Sequence, residues 1–134
     1  MEETQNTHIL LVDDEPDLVQ MVSVRLKAAG YNVAVAYDGQ QALDYVKQTR
    51  PDMIILDLML PKLDGYKVCR LLKFDERTKG IPILIFTARA QVEDVTLATE
   101  CGADAYLTKP FEAKTLLTKI QDLVGLGKKN AEPK

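Results

Sequence analysis

Pro51-Asp52-Met53-Ile54-Ile55-Leu56-Asp57 sets a turn former and a polar residue before four unbroken apolar side chains, and a carboxylate after them. A strand with one wet face would alternate apolar and polar. An unbroken run of this length suits a strand covered on both faces, in the middle of a parallel sheet. Four further short runs flank it. His8 to Val12 ends in Asp13-Asp14, and Asn32 to Ala36 follows Gly30. Ile81 to Phe86 ends in Thr87, and Ala103 to Leu107 ends near Lys109-Pro110. Helical patterns fill the gaps. Glu15-Pro16 opens one with Leu18, Val22, Leu26 and Ala29 on a face, and proline and acidic residues both suit a first turn. Asp38-Gly39-Gln40-Gln41 reads as a capping box ahead of Ala42, Leu43 and Val46. Asp64 caps a helix carrying Val68, Cys69, Leu71 and Leu72. Another helix runs from about Gln91 to Glu100, and a last one from about Glu112 to Val124. Strand and helix alternate five times, which predicts an α/β fold, a doubly wound parallel sheet with right-handed crossovers.

The 134 residues suffice for one domain. With 46% hydrophobic and 28% charged residues the balance is that of a globular chain. A net charge of −3 argues against a general nucleic-acid binder. No apolar run is long enough to span a bilayer, and no signal peptide opens the chain. Cys69 and Cys101 are too few for a disulfide framework or a zinc site, and read as free thiols in a reducing cytosol. Residues 1–7 and 125–134 are expected to be flexible ends around a domain at 8–124. Gly125-Leu126-Gly127-Lys128-Lys129 lacks the spacing and the preceding strand of a phosphate loop, and reads as a helix stop before a basic tail.

In an open parallel sheet, ligands bind beyond the carboxyl ends of the strands. There this sequence gathers Asp13, Asp14, Asp57, Thr87 and Lys109 from four strands. Each has an ordinary use alone: helix capping, a loop start, a β-branched strand end, a solvated lysine. Their coincidence at one edge is the signal. Two carboxylates about 4 Å apart repel by about 4 kcal/mol at an effective dielectric of 20. Lys109 offsets one of three charges, and the two that remain suit a divalent cation. Hard oxygen ligands favour Mg²⁺, for which Mn²⁺ can substitute. A carboxylate so placed can attack phosphorus, with Mg²⁺, Lys109 and the Thr87 hydroxyl each taking one phosphoryl oxygen.

The stretches ILLVDDEPD (9–17), DMIILDLMLPKLDGYKVCRLLK (52–73), IPILIFTARA (81–90) and GADAYLTKPF (102–111) together resemble the receiver domain of two-component response regulators, of the chemotaxis-regulator type, over about residues 8–124. The resemblance implies a flavodoxin-like (βα)5 fold with strand order 2-1-3-4-5. It implies that Asp57 is the phosphoacceptor for a histidine kinase or phosphotransfer protein. Asp14, Asp57 and the backbone carbonyl of Met59 would bind Mg²⁺, with Asp13 acting through water. Thr87 would be the switch hydroxyl, Lys109 the phosphate-binding cation and Tyr106 the switch aromatic. The Lys109–Pro110 bond is expected to be cis. Phosphorylation would change the surface of the fourth helix, fifth strand and fifth helix, where an effector binds or a dimer forms. The family implies a cytoplasmic signalling switch, stand-alone or cut from a longer regulator, that assists its own phosphotransfer and dephosphorylation. It implies no nucleic-acid or membrane binding by this domain. Ala105 and Lys62-Leu63 depart from the commonest family pattern outside the site, where they bear on partner recognition. Met59 and Arg89 occupy positions that in this family influence how readily water reaches the phosphate, and Met59 orients water poorly, so self-dephosphorylation is expected to be slow. A haloacid-dehalogenase-type phosphatase would want Asp-x-Asp after the first strand, which is absent. A flavin module would want a Ser/Thr/Gly-rich phosphate loop there, also absent. A receiver-like domain that is never phosphorylated is disfavoured by the complete acidic, hydroxyl and lysine set.

Overall fold

Odd and even positions along the strands point to opposite sides of one sheet, and this divides the core in two. The computed structural model describes residues 7–60, 63–86, 100–109 and 111–125 in full, and 87 and 126–131 as backbone. Its strands are β1 (His8–Val12), β2 (Asn32–Ala36), β3 (Met53–Leu56), β4 (Ile83–Thr87) and β5 (Ala105–Thr108). They form one sheet in the order β2-β1-β3-β4-β5, with every pairing parallel. The helices are α1 (Pro16–Ala28), α2 (Gly39–Gln48), α3 (Gly65–Lys73) and a C-terminal helix (Ala113–Ala131). The expected helix near 91–100 falls almost entirely outside the described residues, as does Pro110 with its expected cis bond.

On one face Leu10, Val12, Ile54, Leu56, Ile83 and Ile85 pack against Ala42 and Val46 of α2 and Val68, Cys69 and Leu72 of α3. On the other, Ile9, Leu11, Met53, Ile55, Leu84 and Phe86 meet Val19, Val22 and Leu26 of α1 and Leu116, Ile120 and Leu123 of the C-terminal helix. All four residues of β3 are buried, as its unbroken apolar run requires. Each such side chain contributes about 1.5–3 kcal/mol by leaving water. Cys69 and Cys101 are buried in the first of these layers, and neither is in a disulfide.

Local signals explain most element ends. Gly30, at φ 96°, closes α1, with the Tyr31 N–H donating to the Leu26 carbonyl. Asp38 caps α2 by accepting from the Gln41 N–H at 2.8 Å, while the Gln41 side chain returns to the N–H of Tyr37 rather than to that of Asp38. The box therefore closes one residue early. Asp64 caps α3 through the Tyr66 N–H at 2.7 Å.

Two expectations are corrected. Thr7, placed with the loose N-terminus, is buried, and its carbonyl accepts the Asn32 N–H at 2.9 Å. The last helix does not stop at Val124. It continues through Gly125 and Gly127 to Ala131, because a glycine inside a helix costs only about 1 kcal/mol and the residues around these two favour helix. Leu71, one of the apolar residues that α3 carries, is 55% exposed. No helix among the described residues is long and apolar enough to cross a membrane.

Candidate phosphoryl-transfer site

Parallel pairing carries the ends of β1, β3, β4 and β5 to one edge, and the polar residues after them converge. The Asp13 N–H donates to the Ala36 carbonyl, and the Asp57 N–H to that of Val12. Both acidic residues are thereby fixed by backbone that extends the sheet. Carboxylate oxygens of Asp13, Asp14 and Asp57 lie within 4.8 Å of one another. Asp13 and Asp57 are buried, and Asp14 is exposed at the mouth.

Lys109 binds this cluster together. Its ammonium donates to Asp13 at 2.7 Å and to Asp57 at 3.2 Å, and reaches Glu15 at 3.3 Å. It also sits 4.7 Å from the centre of the Phe86 ring, which packs in turn against Phe111 at 5.4 Å. The lysine side chain is only 11% exposed. Burial opposes its charge. The hydrogen bond to Asp13 and the charges of Asp57 and Asp13 outweigh that, and hold the ammonium above the ordinary lysine value.

Burial pushes the Asp13 carboxyl up, and the Lys109 hydrogen bond and the Glu15 N–H (2.9 Å) pull it back only in part. A carboxyl raised in this way favours the native state at pH below its unfolded value, and loses that advantage as pH rises through the folded one. Ionising Asp13 therefore weakens the fold relative to its protonated form, an effect a cation between the carboxylates would offset. The donor set fits such an ion: hard oxygens, no imidazole or thiolate among the described residues of the cluster, and an excess of negative charge after one lysine is counted.

The loop after β3 orients the Asp57 carboxylate. The Met59 N–H donates to Asp57 Oδ1 at 3.1 Å, leaving Oδ2 to Lys109. The Met59 side chain is 57% exposed. Thr87 ends β4 in register with Thr108, its backbone at the same edge. Its hydroxyl, like Arg89, is outside the described residues. Tyr106, in register with Ile85 and half-buried, packs against the layer beneath α2 and α3.

Sequence reasoning missed three participants. Glu15 was read as a helix opener, yet it is an outer partner of Lys109. Phe86 is the apolar floor under the same lysine. Gly65 lies so close to the site that a Cβ there would run into the Asp57 carbonyl oxygen and come within 2.8 Å of the Leu58 Cα. Its N–H donates to the Leu58 carbonyl at 3.1 Å. The first two had a faint signal in their neighbours, Asp14 and Thr87. The third had only its place after a capping aspartate.

Comparison with known proteins agrees with this geometry. Residues 9–121 match the response regulator receiver domain family. The DNA-binding regulator RpaA of Synechocystis is 46% identical over 116 residues, 87% of this chain and 48% of that protein. The response regulator MtrA of Mycolicibacterium smegmatis is 44% identical over 89% of this chain and 51% of its own length. The chain thus spans about half the length of these curated relatives. Among solved structures, the receiver domain of the sensor histidine kinase PA1611 from Pseudomonas aeruginosa, with a magnesium ion coordinated in its active-site cleft, superposes with a TM-score of 0.83 at 34% identity, covering 89% of this chain and 98% of that one. The chemotaxis regulator CheY4 of Vibrio cholerae gives 0.82 at 35% identity over 87% of this chain and 98% of its own. With its strand order, its acidic edge and this match across most of its length, the chain belongs to the receiver domains of two-component response regulators.

Proposed function

We propose that Asp57 is the phosphoacceptor of this signalling switch, and that Asp13, Asp14, Asp57 and the Met59 backbone carbonyl hold one Mg²⁺, Asp13 through water. Lys109 and Thr87 would receive phosphoryl oxygens. The observation that carries this reading is the buried Asp57 carboxylate sharing one ammonium with Asp13 inside a cluster of hard oxygens. When bound, Mg²⁺ or Mn²⁺ neutralises charge on the phosphoryl oxygens and between the carboxylates. The chain's own residues do the rest. An Asp57 oxygen bonds to phosphorus as the phosphorus–nitrogen bond of a kinase phosphohistidine breaks. The electron pair leaves on the imidazole nitrogen, and an acyl phosphate remains on Asp57. Lys109, kept protonated by its neighbours and positioned over Phe86, meets the added negative charge without reorganisation.

The switch follows from adjacency in the sheet. Thr87 and Tyr106 sit on the paired strands β4 and β5. A phosphoryl group drawing Thr87 inward would stabilise one of two packings of Tyr106, and so re-form the surface around β5 and the C-terminal helix for an effector or a second copy. A sensor histidine kinase or phosphotransfer protein is the proposed donor, and the cytoplasm the proposed compartment. The exposed Met59 side chain offers no group to orient attacking water, so the domain would release its phosphoryl group slowly.

Incubation with acetyl phosphate and Mg²⁺, read by intact mass, tests this. One phosphoryl adduct is expected, cleaved by hydroxylamine, prevented by EDTA and persisting long after acetyl phosphate is removed. Lys109→Ala should slow its formation by roughly 10²-fold, with the fold retained. An adduct that forms equally well in EDTA would remove the metal, and one that resists hydroxylamine would remove the aspartyl phosphate.

A further inference from the structure

The exposed side of α3 sets apolar side chains among cations. Lys67, Arg70, Leu71 and Phe74 fall at intervals of three, four and seven residues, and so share one stripe. Leu71 is 55% exposed and Phe74, which caps the helix, 69% exposed. These four, with Leu63 and Arg77, line a groove of about 850 Å³. A second groove of about 480 Å³ shares Leu71, Asp75 and Arg77, and extends the surface to Lys47 and Arg50 at the end of α2.

Charge on this surface runs against that of the chain. Among the described residues lining the two grooves, Lys47, Arg50, Lys67, Arg70 and Arg77 stand with two acids, Asp75 and Glu76, on a protein whose net charge is −3. The two acids are already matched: Asp75 pairs with Arg77 at 2.9 Å, and Glu76 with Lys79 at 2.8 Å. The other four cations have no ion pair among the described residues. Arg70 lies 5.7 Å from the Phe74 ring centre, and Arg50 donates to the Arg77 carbonyl. The result is an apolar strip edged by cations.

We infer that this α2–α3 face docks an amphipathic helix of a protein partner, with an apolar stripe set on Leu63, Leu71 and Phe74 and acidic side chains set against Lys47, Arg50, Lys67 and Arg70. Other occupants fit less well. The chain's own last residues carry Lys128, Lys129 and Lys134 against Glu132, and would be repelled. The exposed Met21 and Val24 of α1 stand beside Arg25 and Lys27, so a second copy would oppose like charges there. Nucleic acid would gain nothing from the leucines. Burial of exposed apolar side chains supplies the affinity, and the ring of cations selects and orients the partner. Leu63 belongs to the Lys62-Leu63 departure from the common family pattern, which gives that departure a role in choosing a partner.

The test uses the full chain and two synthetic amphipathic helical peptides with the same leucine stripe, one flanked by glutamates and one by lysines, together with a DNA duplex. Anisotropy gives affinity and amide shifts give position. The acidic peptide is expected to bind with shifts centred on α3. The basic peptide and the duplex should bind at least tenfold more weakly, as charge selection requires. The double substitution Lys67→Glu/Arg70→Glu, and separately Phe74→Ser, should each weaken the acidic peptide by roughly tenfold. All three side chains are exposed, so acetyl-phosphate labelling should be unchanged and certifies the fold. Equal binding of the two peptides, unaltered binding in the charge-reversed variant, preferential binding of the duplex at these residues, or self-association that Phe74→Ser abolishes would each overturn the inference.

Discussion

Asp57→Asn is expected to abolish the phosphoryl adduct completely while leaving the fold at least as stable as before. The substitution keeps shape and hydrogen-bonding capacity. The asparagine oxygen can still accept from Met59 N–H or Lys109, the two partners the carboxylate has now. What disappears is the carboxylate proposed as the nucleophile. One of three negative charges within 4.8 Å also disappears. At about 4 kcal/mol for a pair at 4 Å and a dielectric of 20, the repulsion relieved is comparable to the attraction to Lys109 that is lost. Thermal unfolding without divalent cation should show an unchanged or higher midpoint, and the gain on adding Mg²⁺ should shrink. Intact mass after acetyl phosphate treatment gives the main readout. A full-strength adduct in the variant would move the acceptor to another residue.

Gly65→Ala should be as damaging as a site mutation although it touches no reactive group. The new methyl would strike the Asp57 carbonyl and the Leu58 backbone, and main chain on that side cannot swing away as a flexible side chain could. Overpacking of this kind costs about 1–3 kcal/mol. Whatever relief occurs must move the loop that presents Asp57, so labelling should slow even in the folded fraction. Gly125→Ala is the natural contrast. Nothing lies within 4 Å of its missing Cβ, and inside the C-terminal helix alanine should stabilise by up to about 1 kcal/mol. Urea denaturation of the pair measures both. A Gly65→Ala protein of wild-type stability and labelling rate would show that the loop position is not set by this contact.

Much of the fold was readable because two periodicities do not overlap. The unbroken Met53–Leu56 run suits a doubly covered strand, and its neighbours ended in polar residues that a parallel sheet sends to one edge. The acidic cluster was readable for the same reason: topology alone brings Asp13 and Asp57 together. What escaped depends on distances between segments. Leu71 has the spacing of a core residue on α3, yet the neighbouring Leu72 is the one that faces the sheet. Gly125 looks like a helix stop, but no chain reversal is imposed there. Gly65 matters through an approach to Asp57 eight positions earlier, which no local pattern encodes.

The convergence of three carboxylates on one divalent cation is tested most directly by paramagnetic broadening with substoichiometric Mn²⁺ in amide spectra. The signals of Asp13, Asp14, Asp57, Met59 and Lys109 should fade first, recover when excess Mg²⁺ competes, and resist broadening in an Asp14→Asn/Asp57→Asn protein. Broadening centred on another part of the surface, or equally strong at this edge in the doubly substituted protein, would contradict a metal site built from these residues.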